Sequence, residues 1–453
     1  MQISLTSDDN EDTYVSDTAG SGGTTTSSNS TSRGVVNEDV IKREILSRLP
    51  VKSLMRFKCV SKTWLSLIEE DPQFAALHYA HAKARPGILF VIPRARPTDP
   101  NNPHQNKHDR LILTANLIKD QGSKAEAHKI RKVKSSRYNQ ILGPVNGLVC
   151  FVDKLKSDVC VYNLSTREKT PGIRSTLLMP IEEQWSNSFN KIYEFGFDPT
   201  TRKHKVLCIC HRTTQQPGEF YIDGPYQVCY VLTIGDNAWR RLDEVLPCDI
   251  DYILPSSVHV NGTIYYCTAR FLFGSWAGGW KNGDAVLVAF DVGIEKFRTI
   301  LIPNVILSSP PSDYWFNQHA YLLEVNGHVA IACRFGAYIA KIWVYIEDTE
   351  NDNNGTCEEK WAEHTIKFPF CWDRNTYWGF YTGAGMDQIL VQSDRWVVSG
   401  IDPACTLYSY DLKMKTFTAI EVSGIPSSIS NDCSIKLVSS FSESLWAPIQ
   451  KQQ

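Results

Sequence analysis

No run of about 18 consecutive apolar residues occurs in this 453-residue chain, so no membrane-spanning helix is expected. The opening MQISLTSDDNEDTY has neither the basic region nor the apolar core of a secretory signal. Excess charge is missing too. Lys and Arg total 47 and Asp and Glu 49, a net of −2, which argues against a nucleic-acid or polybasic membrane surface. Cysteine is not dense: 13 residues, an odd number, are scattered along the whole length. That pattern opposes a disulfide-stapled secreted scaffold and predicts reduced, mostly buried thiols in the cytoplasm and/or nucleus. Catalytic patterns are also absent. There is no Gly-x-Ser-x-Gly, no His-Glu-x-x-His, no Walker loop, and no Gly-x-Gly-x-x-Gly after a strand. Cys208-Ile209-Cys210-His211 comes nearest to a metal cluster. On a strand its two thiols share a face, His211 points away, and no second Cys pair completes a site. The expectation is no catalytic residue, no metal and no cofactor.

A hydrophobic content of 42% supports a sizeable core, and the length suits two or three domains. Residues 1–34 are rich in Ser, Thr, Gly and Asp and are expected to be disordered. Residues 35–84 then read as a small helical module. Asn37 is a candidate N-cap, with Glu38 and Asp39 in the first turn where carboxylates suit the helix dipole. Ile41, Ile45 and Leu49 recur at helical spacing on one face. Pro50 ends that helix. Val51, Leu54 and Phe57 mark a second, Ser61 caps a third carrying Trp64, Leu65, Leu67 and Ile68, and Asp71-Pro72 opens a fourth. So small a unit buries too little to be robust alone and is expected to rest on a partner, on the rest of the chain, or on both.

From Gly87 to about residue 446 the signals become those of β-strands. GILFVI (87–92) and RLILTANL (110–117) have strand length. Asn-Gly followed by an apolar strand recurs at 146, 261 and 326, and Asn-Gly suits a two-residue hairpin because both residues tolerate positive φ. A second unit (strand, polar turn, strand with an aromatic near its start) places Trp239, Phe297, Trp361 and Phe417 at spacings of about 55 to 65 residues. Repeated antiparallel units of that length predict a β-propeller of six or seven blades, with the aromatics between blades; a β-sandwich array is the alternative. The C-terminal KLVSSFSESLW is expected to pair with the first strands and close the ring. Residues 447–453 form a tail. The basic run Lys129 to Arg137 reads as a solvated loop or strand edge rather than a nuclear signal. The predicted fold is thus α+β multidomain, a helical module followed by an all-β propeller-like domain.

ILSRLPVKSLMRFKCVSKTWLSLIEEDPQF resembles the F-box of plant F-box proteins, in register at Leu49-Pro50-Val51, Leu54, Arg56 to Lys62, Trp64 and Leu67-Ile68. The family opens with Leu-Pro where this chain has Val36-Asn37. NGLVCF, YNLSTREK, YEFGFDPTTRKHKV, AFDVGIEKFRTI and SFSESL are similar to the F-box-associated domain that follows it, kelch-like at most because the Gly-Gly pair of kelch blades is missing. The resemblance implies a non-catalytic substrate-recognition subunit of a Skp–cullin–F-box ubiquitin ligase. Leu49, Pro50, Val51, Leu54, Phe57, Val60, Trp64 and Ile68 would form the face for the Skp adaptor, through it for a cullin–RING ligase, or support that face directly. The β domain would hold a protein substrate. Trp and Tyr dominate binding hot spots, so the aromatic-rich segments carrying Trp276, Trp280, Tyr314, Trp315, Trp372, Tyr377 and Trp378 are the expected substrate face. Alternatives are a ligand- or sugar-binding propeller and a non-degradative F-box scaffold.

Overall fold

The computed structural model describes residues 38–94, 109–117, 124–133, 138–175, 189–212, 227–236, 238–247, 253–268, 286–307, 321–335, 338–347, 359–369, 378–383, 387–393, 405–425 and 437–448. Asn37 and the tail at 1–34 lie outside them. The first helix, α1, is irregular: an α turn over Glu38–Val40, a π stretch over Ile41–Ile45 and a 3-10 turn over Leu46–Arg48. This corrects the expected buried face. In the π stretch the Leu46 N–H reaches back to the Ile41 carbonyl, so five residues separate positions that share a face. Leu46 is therefore buried, and Ile45 is 48% exposed. Leu49 is extended ahead of Pro50. Helices α2 (Val51–Phe57), α3 (Lys62–Glu70) and α4 (Pro72–Lys83) follow as expected. Ser61 Oγ accepts the Trp64 N–H at 3.1 Å, and Asp71 Oδ1 accepts those of Gln73 and Phe74 at 2.8 and 2.9 Å.

Apart from connecting turns and a short helix at Asn304–Leu307, the rest of the described chain is β structure in six antiparallel blades of four strands, with a parallel pairing of Glu421–Ser423 on Lys124–Glu126 joining the first and last blades into one eight-stranded sheet. Blade I holds β1 (Gly87–Arg94), β2 (Asp109–Leu117) and β3 (Lys124–Val133); its fourth strand is β24 (Leu437–Phe441), from the far end of the sequence. Blade II holds β4 (Gln140–Val145), β5 (Leu148–Asp153), β6 (Asp158–Asn163) and β7 (Ile173–Arg174). Blade III holds β8 (Phe189–Asp198), β9 (Lys203–Arg212), β10 (Gln227–Thr233) and β11 (Trp239–Arg241). Blade IV holds β12 (Ile253–Val260), β13 (Thr263–Thr268), β14 (Val286–Asp291) and β15 (Lys296–Leu301). Blade V holds β16 (Tyr321–Val325), β17 (His328–Arg334), β18 (Ile339–Glu347) and β19 (Glu359–Lys367). Blade VI holds β20 (Trp378–Thr382), β21 (Gln388–Ser393), β22 (Cys405–Asp411) and β23 (Thr416–Ser423). The basic stretch is thus largely a strand, β3, and the first and last strands complete a sixth blade rather than a seventh.

Two turn types punctuate the blades. Asn146-Gly147, Asn261-Gly262 and Asn326-Gly327 all have positive φ and join the first two strands of blades II, IV and V. In the second type, an Asp or Asn at a strand end accepts the N–H groups two and three residues on, and the fourth residue on has positive φ. Asp153, Asn163, Asp198, Asp291 and Asp411 do this, followed by Ser157, Arg167, Arg202, Glu295 and Lys415.

β24 pairs with β1 from Gly87↔Phe441 to Val91↔Leu437, so the closing strand stands where expected. Each of the six blade-to-blade spaces holds its own apolar cluster. Trp239 packs between blades II and III, Phe297 between III and IV, Trp361 between IV and V, and Phe417 between V and VI. The innermost strands β4, β8, β12, β16, β20 and β24 contact one another in succession around a central channel. Buried hydrophobic side chains contribute about 1.5–3 kcal/mol each. A radial array lets both faces of every sheet do so.

Candidate functional site

The helical module and the propeller meet at one end of that channel. A cavity of about 870 Å³ lies between α4, through Ala76, Tyr79, Ala80 and Lys83, and the innermost strands of all six blades. The Asn-Gly turns of blades II and IV border it, so α4 sits at the face where the innermost strands end. Two carboxyls line the wall. Glu194 on β8 is 7% exposed and accepts a hydrogen bond from Ser257 Oγ on β12. Burial pushes its pKa up to about 7, against the lowering effects of Ser257 and of Lys154. Burial also raises Glu324 on β16, while Lys83 of α4 opposes the rise. His259 on β12 is pushed down to about 4, mainly by burial, and the Phe197 N–H donates to its Nε2 at 3.1 Å. An imidazole held neutral in this way accepts. The cavity is thus polar, weakly acidic and walled by aromatics such as Phe195, Tyr321 and Phe380.

Adaptor candidates divide by burial. Val51, Leu54 and Ile68 are buried in the module's core with Leu46, Leu67 and Phe74; they are support, not surface. Leu49, Phe57 and Trp64 are half-buried, and Pro50 is exposed. The Phe57 and Trp64 rings meet edge to face, 5.3 Å between centroids. Val60, 56% exposed, lies between the two in sequence, Leu65, 39% exposed, follows Trp64 directly, and both face solvent. Leu65 and Ile45 are exposed apolar side chains that do not figure among the adaptor candidates expected from the sequence. Leu65 was legible as the outward member of the α3 stripe; Ile45 was not, because the π stretch is what turns it out. Lys58 and Glu69 join α2 to α3 by a 3.0 Å ion pair.

Of the expected substrate-face aromatics, Trp276, Trp280, Tyr314, Trp315, Trp372 and Tyr377 lie outside the described residues. Trp378 begins β20, its backbone opposite Ser393. Cys208 and Cys210 both lie in the cluster between blades II and III, Sγ atoms 3.8 Å apart. Among the described residues no three His, Cys, Asp or Glu side chains form a group able to hold a metal ion, and no helix is long and apolar enough to cross a membrane.

Comparison with known proteins finds an F-box ahead of a propeller domain. A family profile described as F-box domain matches residues 39–74, and one described as F-box associated beta propeller domain matches residues 104–444. An F-box protein of Arabidopsis thaliana is 28% identical over 345 residues, covering 76% of this chain and 73% of that one. F-box protein DOR of the same plant is 26% identical over 411 residues, covering 84% and 87%. F-box protein At5g65850, also from Arabidopsis thaliana, is 24% identical over 403 residues, covering 88% of each.

Proposed function

Since the chain belongs to the F-box-associated β-propeller family and carries an F-box ahead of the propeller, we propose that it is the substrate-recognition subunit of a Skp–cullin–F-box ubiquitin ligase. F-box domains bind Skp-type adaptors. The observation that carries the reading to this chain is the solvent-facing apolar surface at Val60 and Leu65 beside the Phe57–Trp64 pair. An apolar surface of this kind suits docking by another protein. In this reading Leu49, Pro50, Phe57, Val60, Trp64 and Leu65 meet the adaptor, and a cullin–RING ligase joins through it, in the cytoplasm and/or nucleus. The propeller holds a protein substrate, and ubiquitin transfer depends on proximity rather than on a catalytic group of this chain.

Topology supports substrate capture at the propeller face away from α4. β13 ends and β14 begins at the end of blade IV opposite the Asn261-Gly262 turn, as the pairing Cys267↔Leu287 requires. The segment between those strands carries Trp276 and Trp280. A pull-down of the full chain with purified Skp adaptor tests the assignment. Wild type is retained, and a Val60→Asp/Leu65→Asp double variant, changed only at solvent-facing positions, is lost. Failure of wild type to bind overturns it. The channel cavity with its buried Glu194 favours a second reading, a small-ligand site in the propeller, which that failure would bring forward.

A further inference from the structure

The helical module does not close its own core. Leu445, beyond the last strand, is 7% exposed and packs with Leu46, Val51, Leu54, Leu67 and Phe74 of the helices. Its neighbour Glu443 places Oε2 2.9 Å from the Val51 N–H, at the start of α2. The N-cap position there is Pro50, whose ring offers no acceptor, and α2 has no side-chain cap of its own. A residue 392 positions away thus caps this helix.

The residues between and beyond these two are fastened to the propeller instead. The Ser444 N–H donates to Ser165 Oγ at 3.1 Å, and Asn163 Nδ2 donates to the carbonyls of Ser444 and Trp446, each at 2.9 Å. The Arg202 guanidinium lies 5.0 Å over the Trp446 ring and donates to the Pro72 carbonyl at 3.0 Å, joining blade III to the start of α4. The strap at 442–446 follows directly on β24, the strand that closes the ring against β1.

From this alternation we infer that adaptor docking and ring closure are coupled: the F-box helices hold their adaptor-binding arrangement only while β24 is zipped to β1, and a bound adaptor in turn tightens that closure. The adaptor half of the statement rests on the function proposed above. The coupling half concerns this chain alone. Linkage makes the effect reciprocal: whatever closure gives to adaptor affinity, the adaptor gives to closure.

Hydrogen–deuterium exchange on the full chain, with and without purified Skp adaptor, tests it. Wild type is compared with Leu445→Ala, with the milder Glu443→Gln in case the first does not fold, and with Ile331→Ala, a buried change in blade V away from the strap. Expected are faster exchange in α2 and α3 for both strap variants, adaptor affinity about tenfold or more weaker for Leu445→Ala, slower exchange at 437–441 when the adaptor binds wild type, and wild-type α2 and α3 exchange in Ile331→Ala. Wild-type exchange of α2 and α3 in both folded strap variants overturns the coupling, as does an adaptor that binds and leaves 437–441 unchanged. If the adaptor binds no form of the chain, the proposed function fails, while exchange in the adaptor-free variants still decides whether the strap holds the helices.

Discussion

Glu194 is a carboxyl almost without water, with one serine hydroxyl donating to it. Its folded pKa of about 7 lies above the ordinary value near 4.5, so the folded state holds this proton more tightly than the unfolded chain does. The stability it contributes is fully present below about pH 4.5 and is lost as pH rises through about 7. The loss amounts to roughly 3 kcal/mol at most. Glu194→Gln keeps a partner for Ser257 and cannot ionise. Urea unfolding at pH 5 and pH 8 should show the variant gaining on wild type by that order at the higher pH; an equal difference at both would refute it. Glycines offer a second contrast at this scale. Gly147 has φ +78°, and a Cβ there would sit 2.5 Å from Ser444 Cβ. Gly235 has φ +105° with open space around it. Gly147→Ala should cost roughly 2–4 kcal/mol, strain and clash together, and Gly235→Ala about 1 kcal/mol. Equal losses in denaturant would mean that the strap does not press on this turn.

Single elements were readable where a local rule fixes them. Ser61 and Asp71 cap their helices because a side-chain oxygen reaches N–H groups two or three residues on, a geometry the sequence contains in full. Ser61→Ala should therefore lower stability by about 1 kcal/mol, visible as faster amide exchange in α3 with the propeller strands unaffected. The Asn-Gly hairpins were readable for the same reason. The π stretch in α1 was not. Spacing alone puts Ile41, Ile45 and Leu49 on one face, whereas packing draws Leu46 inward and leaves Ile45 out. The cap on α2 was equally hidden, because Glu443 lies at the other end of the chain and carries no local signature.

At the scale of the molecule, six blades closed by one strand from the far terminus make stability a property of the whole ring. Removing residues 437–453 takes away β24, Glu443 and Leu445 together. It leaves the apolar inner edge of β1 unpaired, and unpaired strand edges invite association. The truncated chain should self-associate in size-exclusion chromatography and lose adaptor binding; a monomer that still binds adaptor would contradict the ring account. Legible from the residues alone were the main helices, the hairpin turns, the aromatics between blades, the succession of F-box and propeller, and the closing strand. The turns, caps and repeated aromatics follow from patterns within reach of neighbouring residues; the F-box is legible by its resemblance, and the closing strand from a ring's need to leave no open sheet edge. Packing in three dimensions fixed the blade count, the burial of Val51, Leu54 and Ile68, the exposure of Ile45, and the seating of α4 at the channel. It alone also joined Leu445 to the helical core: Ile45 is turned out by the π stretch, while the blade count, the seating of α4 and the Leu445 contact join residues far apart in the chain, which no local pattern encodes.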